Sequence, residues 1–493
     1  MRRPSAVTLI LTASVLAAPL GPAQAQATPD GARALEGQLQ KWLAAVFGAD
    51  RPMMTAPASA LANGDHYDLV LPLFEGADGP RLTSTARDQG GGRWAMSDLR
   101  QSTPATFQLS LPQPPTADGK PARMADVTYQ MTIGAQSGEA VIDTSLATAS
   151  RYTSSADDLT VSSSWGSSPS TTHVDHLASV ITIGAGKDPG RMDGTMEASL
   201  TNYRVSATSP NLGSMKILAG ETSVRAAGTD FSVGRLRDAM HAEFEFLLSA
   251  MQRRDGTGTM AAPPDPVSAL TMVEALIDTA SSASIEQRSE SVSITLKEVT
   301  AVMRELDLGF GAKATDGLSS VRFELGMDGL DVPDVGLGPA AGLIPTKVAL
   351  RPTLSGMPSA ALLALLRVLK AGQAPAPEQI EALFARGPIT AGLEAATVEV
   401  AGASFSGQGL LEIASLDSSS GSAQVTATGY DLLQQQVAAA PSMSAAGLGL
   451  IFLKGIGRAE DERMVWDVVY RDGHVLVNGT DMSAMAAPPR ARQ

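Results

Sequence analysis

The chain has no cysteine. Disulfides, Cys-ligated zinc and thiol nucleophiles are thereby excluded, and stability must come from burial, which 493 residues can supply. Aromatic residues make 4% of the chain against 44% hydrophobic residues in all, so the core is expected to be Ala, Val, Leu, Ile and Met. Beyond the first 25 residues no apolar run reaches the roughly 18 to 20 residues of a membrane span, so no transmembrane span is expected in the mature chain. Positive charge is also short. The 37 Lys and Arg against 51 Asp and Glu give a formal charge of -14, and removal of a leader carrying Arg2 and Arg3 and no acid makes it more negative still. Nucleic acid and anionic membrane surfaces repel such a chain, so no nucleic-acid partner is expected.

Residues 1–25 have the composition of a secretory signal peptide: a basic start at Arg2-Arg3, an apolar stretch from Ala6 to Leu20, and Ala23-Gln24-Ala25 as the small-residue site. Cleavage after Ala25 or Ala27 and a periplasmic location follow as expectations. The mature chain divides into a β-rich half with a covering helix over 28–260, a second β-rich half with helices and a terminal hairpin over 261–482, and a disordered tail over 483–493. The boundary rests on the break at Gly256-Thr257-Gly258 and Pro263-Pro264.

Leu35, Leu39, Trp42, Leu43 and Val46 predict an amphipathic helix over Gly31–Phe47. From His66 to about Gly228 the pattern alternates, with Asp118-Gly119 and Ser137-Gly138 read as turns. The Ser/Thr-rich stretch from Thr148 to Thr172 reads as strands of a one-sided sheet rather than an insertion, because Leu159 and Val161 alternate. Strands over 196–205 and 216–226 precede a helix striped by Val233, Leu236, Met240, Phe244, Leu247 and Met251, and Asp265-Pro266 opens another helix. In the second half, strands are expected at 291–296, 321–331, 346–352, 396–400 and 422–426. Pro358 opens a helix closed by Gly372, Pro377 opens one closed by Gly387, and two more cover Tyr430 to Ala438 and Ala445 to Lys454. Met464 to Tyr470, Asp472-Gly473 and His474 to Val477 make a hairpin. The fold class is α+β and β-rich: an extended, mostly antiparallel curved sheet with amphipathic helices covering one face. The strand–strand–helix order of the two halves reads either as an internal duplication or as coincidental alternation.

No motif for chemistry survives its spacing test. Gly184-Ala185-Gly186-Lys187 lacks the upstream glycine and the following Ser or Thr of a phosphate loop and reads as a turn. Gly336-Leu337-Gly338 with Gly342 has the wrong spacing for a dinucleotide fingerprint and reads as a loop. His173-Val174-Asp175-His176 is the one dense cluster of potential ligands. On a strand one face offers His173 and Asp175 while His176 points the other way, short of the ligands a zinc site needs. Asp328, Asp331 and Asp334 miss calcium-loop spacing and read as turn residues. Gly402 to Gly407 is one residue off a nucleophile elbow, and the pairs Asp157-Asp158 and Glu460-Asp461-Glu462 read as polar turns. No catalytic, cofactor-binding or metal-binding residue is assigned, and no cofactor is expected.

The signal peptide, the β-rich halves with strand-then-helix units, the strand and helix from Ser422 to Val437, and the ending Val475-Leu476-Val477-Asn478-Gly479 together resemble a family of exported alphaproteobacterial proteins, domain of unknown function twenty-one twenty-five. The resemblance implies a β-rich exported fold and no activity. The expected function is non-enzymatic: binding of a lipid or other apolar envelope ligand in a sheet groove. The alternatives are a structural or interaction protein docking an envelope protein, or an enzyme of another type.

Overall fold

The computed structural model describes residues 26–47, 57–72, 79–112, 124–146, 148–165, 168–209, 213–235, 280–333, 338–440, 443–471 and 473–483. The expected leader, the turn at 118–119, the break at 256–264, the helix opened by Asp265-Pro266 and residues 484–493 of the expected tail lie outside them. The chain forms two compact units, Met1–Ile285 with Thr295–Lys297, and Glu286–Ile294 with Glu298–Gln493. It is mostly β, in antiparallel sheet with a few helices.

The first unit begins with α1 (Pro29–Phe47). Thr28 Oγ1 accepts the Gly31 N–H at 3.1 Å, satisfying one free donor of the first turn. Leu35, Leu39 and Leu43 are spaced by four, so they share one face, and all three are fully buried in a cluster with Leu69, Leu71, Leu82, Trp94 and Met96.

The strands of this unit are β1 (Ser59–Asn63), β2 (His66–Pro72), β3 (Arg81–Gly90), β4 (Arg93–Gln101), β5 (Ala105–Pro112), β6 (Met124–Thr132), β7 (Gln136–Asp143), β8 (Thr148–Trp165), β9 (Ser168–Ala185), β10 (Met192–Ser209) and β11 (Gly213–Phe231). Neighbours run β1–β2–β3–β4–β7–β8–β9–β10–β11, all antiparallel. β8 is long enough to serve two partners: residues 148–156 pair with β7, and 160–164 with β6, which in turn pairs with β5. The Ser/Thr-rich stretch is therefore sheet, as its alternation indicates. Residues 233–235 begin a helical turn, and the rest of the helix expected there lies outside the described residues.

Two expectations need correction. Ser137-Gly138 is not a turn but lies within β7, and the bend falls at residues 134–135. Gly138 serves close packing instead, since a Cβ there would lie 3.1 Å from Leu99 Cβ. Asp157-Asp158 likewise sits inside β8, not in a turn, for a reason given below.

The second unit takes up the middle of β12 (Ser282–Leu296). It continues with β13 (Val299–Thr315), β14 (Leu318–Asp328), β15 (Lys347–Pro358), α2 (Ser359–Lys370), α3 (Pro377–Glu381), β16 (Ile389–Val400), β17 (Ala403–Ile413) and β18 (Ser419–Thr428). It ends with α4 (Tyr430–Ala438), α5 (Ser444–Ile456), β19 (Arg458–Glu460), β20 (Arg463–Arg471), β21 (His474–Val477) and β22 (Thr480–Asp481). From β13 to β18 each strand pairs with the next in sequence, and β20 then pairs with β18. Asp316 and Gly317 both take positive φ, 51° and 74°, as a two-residue hairpin turn requires. Pro358 precedes and Gly372 follows α2, as expected. The helix opened by Pro377 is shorter: five α-helical residues and then a 3-10 turn over Ala382–Phe384. The Gly336–Gly342 stretch is not all loop, because Gly338–Leu343 forms a 3-10 helix. Asp328 is not a turn residue; it ends β14 and pairs with Arg304 at 2.9 Å.

Candidate functional site

The histidine cluster falls where β8, β9 and β10 exchange faces. Leu177 and Val174 are both buried in one cluster with Leu159, Ala156, Leu200 and Tyr203. Along each strand the inward residues are therefore three apart at this row instead of two, and two polar residues stand between them: Asp157-Asp158, Asp175-His176 and Thr201-Asn202. Asp158 and Asn202 make the switch with φ near 50°, a conformation Asp and Asn tolerate best among non-glycine residues. The polar groups of this row answer one another. His173 Nε2 lies 2.8 Å from Asp175 Oδ1, so these two share a face as expected, and His173 Nδ1 lies 2.9 Å from Thr160 Oγ1. Asn202 Nδ2 donates to Asp175 Oδ2 at 2.7 Å, Arg204 donates to it at 3.2 Å, and His176 meets Asp157 at 2.6 Å. Among the described residues no group of three His, Asp or Glu is placed to hold a metal ion. Apart from the His173–Asp175 contact within β9, these contacts run between the three strands and brace the face exchange.

That network has a pH signature. The Asn202 amide, then the His173 ring and the Arg204 charge, hold the Asp175 carboxyl below its ordinary range. A carboxyl lowered in the folded state contributes stability above its unfolded pKa of about 3.9 and loses it as pH falls through the folded value. Asp175→Asn should therefore melt below wild type at neutral pH, with the gap closing below about pH 4. Thermal melts across pH check this, and a gap that persists undiminished in acid would refute the assignment.

The second unit holds a different kind of site. Directly paired residues share a sheet face. The registers of β13 to β20 therefore stack Leu308, Leu325, Leu350, Ala396, Gly407, Val425 and Trp466 in one row across the sheet. A parallel row holds Ala312, Val321, Leu354, Ala391, Leu411, Gly421 and Tyr470. Between them run Phe310, Phe323, Pro352, Leu393, Gly409, Ala423 and Val468, with Phe323 set beside Pro352 by the flanking pairs Arg322 with Thr353 and Leu325 with Leu350. The extra residue of a bulge at Glu394-Ala395 keeps Leu393 and Ala396 on this same face.

The opposite face is polar. Arg351 Nε donates to Glu324 at 2.7 Å, Gln424 Nε2 to Asp467 at 2.8 Å, and Ser406 bonds Thr426 at 2.6 Å. Ser404, the serine of the near-elbow at Gly402 to Gly407, lies within β17 opposite Thr428 of β18, and Ala401-Gly402 is the turn before β17.

Across β16, β17, β18 and β20 the apolar face sinks into a trough of about 420 Å³, lined almost throughout by apolar atoms of Leu393, Val398, Phe405, Leu411, Val425, Val468 and Tyr470. Small residues form its floor. A Cβ on Gly409 would lie 2.8 Å from Ala423 Cβ, and one on Gly421 would lie 2.5 Å from the Leu410 carbonyl. At one end α4 and α5 stand over the same face. Tyr430 donates to the Leu450 carbonyl at 2.7 Å, Trp466 Nε1 to that of Leu453 at 2.8 Å, and Phe405 bridges trough and helices with its ring 6.2 Å from Tyr430. Such a concavity is suited to apolar chains, which need no directed polar partners.

Sequence reasoning does not single out these residues. The usable signal is Phe405-x-Gly-x-Gly-x-Leu411 followed by Gly421-x-Ala-x-Val-x-Ala427, an alternation of small and apolar residues on adjacent strands. Gly184 and Ala185 end β9, and the turn follows over residues 187–190, with Gly186 N–H donating to the Arg191 carbonyl at 2.8 Å. No family model, no curated protein and no solved structure matches the chain.

Proposed function

We propose that this is a non-enzymatic, exported protein of the cell envelope that holds an apolar chain of a lipid in the trough of its second unit. The trough carries the reading. It crosses three strand spacings, about 14 Å. The hydrocarbon core of a bilayer is about 30 Å thick for two chain lengths, so a single lipid chain spans about 15 Å. The match in length, the apolar lining and the helices at one end together favour one extended hydrocarbon chain over a small polar substrate. Export rests on the leader-like composition of residues 1–25. The same reading takes the sheet to curve about its ligand, in keeping with the bulge at Glu394-Ala395, and takes the two β-rich halves as a diverged duplication.

Native mass spectrometry on protein purified gently from the periplasm, followed by organic extraction, tests the proposal. The expected result is a species heavier than the mature chain that loses its extra mass into the lipid fraction. A clean mature mass would count against a lipid ligand and in favour of an envelope-protein partner, to be sought by cross-linking in intact cells.

A further inference from the structure

We infer that the ligand is a lipid with two acyl chains, the second lying on the apolar face of β13, β14 and β15 beside the trough; this rests on the trough being a lipid site. The trough takes up only four of the seven strands that the apolar rows cross. Beyond it the rows continue without a charged side chain through Phe323, Leu325 and Leu308, which are 52%, 41% and 42% exposed. Their sequence neighbours Arg322 and Glu324 point the other way and pair with each other at 3.3 Å, so the charge of this region lies on the opposite face. A contiguous uncharged apolar surface of this kind marks a binding face. It complements hydrocarbon and offers nothing to a charged peptide.

Length decides between one chain and two. Six spacings across seven strands come to about 29 Å, twice the roughly 15 Å of a single chain. One chain seated in the trough would leave Phe323, which packs its ring 5.3 Å from the half-buried Phe310, open to water. The face is continuous, so both chains of one molecule can lie on it without crossing a polar group.

The test compares a diacyl phosphatidylcholine with its single-chain lyso analogue, which share a headgroup, using wild type, Phe323→Glu and Ala396→Phe. Leu325→Glu is the second variant should Phe323→Glu fold poorly. Wild type should bind the two-chain lipid about tenfold or more tighter, as burial of a further chain requires. Phe323→Glu should lower two-chain affinity to the single-chain level and leave the lyso lipid unchanged, whereas Ala396→Phe, inside the trough, should weaken both. Equal affinity of wild type for the two lipids, or no effect of either glutamate, would overturn the inference while leaving the trough reading intact. No binding of either lipid would overturn the trough reading as well. A ligand-free wild type that dimerises in sedimentation while Phe323→Glu stays monomeric would give the face to a second copy and also overturn the inference.

Discussion

Ala396→Phe is expected to empty the trough. Ala396 lines it on β16, directly opposite Gly407 on β17, so the added ring extends into the trough. The ring displaces about four methylenes of a bound chain, at about 0.8 kcal/mol each, which is about 3 kcal/mol or roughly a hundredfold in affinity. The protein should fold as before, because the substitution adds apolar volume to an open surface and not to a packed one. Native mass spectrometry of the variant should show the mature mass alone, with an unchanged circular dichroism spectrum. Retention of the full wild-type complement of lipid would place the ligand elsewhere.

The second large effect is on stability and belongs to the first unit. Leu39 is the centre of the α1 stripe and has no exposed surface. Leu39→Ala removes its contacts with the β2 to β4 face, and the two neighbouring leucines hold the helix in place, so the cavity cannot collapse. Fully buried Leu→Ala changes cost about 2–5 kcal/mol, and the upper half of that range is expected here. Denaturant melts should show an early transition for the first unit. A shift of less than about 1 kcal/mol would mean that α1 is not a structural part of this core.

The buried face of α1 is legible in the sequence itself, because a helix writes that face along one segment: Leu35, Leu39 and Leu43 recur by four whatever surrounds them. The same holds for α2 between Pro358 and Gly372, and for the β20–β21 hairpin. The trough is written differently. Its rows draw one residue from each strand, and which residues align depends on registers that include the bulge at Glu394-Ala395. Its floor consists of glycine and alanine, which carry no chemical signature.

The Asp157-Asp158 pair reads as a turn because two adjacent aspartates are turn-like by composition. In the fold they mark a strand whose faces exchange, and that depends on Asp175 and Asn202 standing in the adjoining strands at the same level. Ser137-Gly138 misleads for a related reason. The glycine answers a neighbouring strand, and Leu99 is 39 residues away in sequence.

From β13 to β18 every strand bonds to the one immediately before it in the chain, and this has a consequence for how the apolar face is made and how its size is set. Pairing between sequence neighbours requires no threading, and short loops close β13–β14, β16–β17 and β17–β18 while α2 and α3 lie in the longer β15–β16 link, so the face can grow strand by strand at low contact order. The gain or loss of one hairpin within this run would lengthen or shorten every row by two strand spacings, about 10 Å, and leave all other pairings as they are. The reach of the apolar surface is therefore counted in hairpins, and insertion alone would lengthen or shorten it.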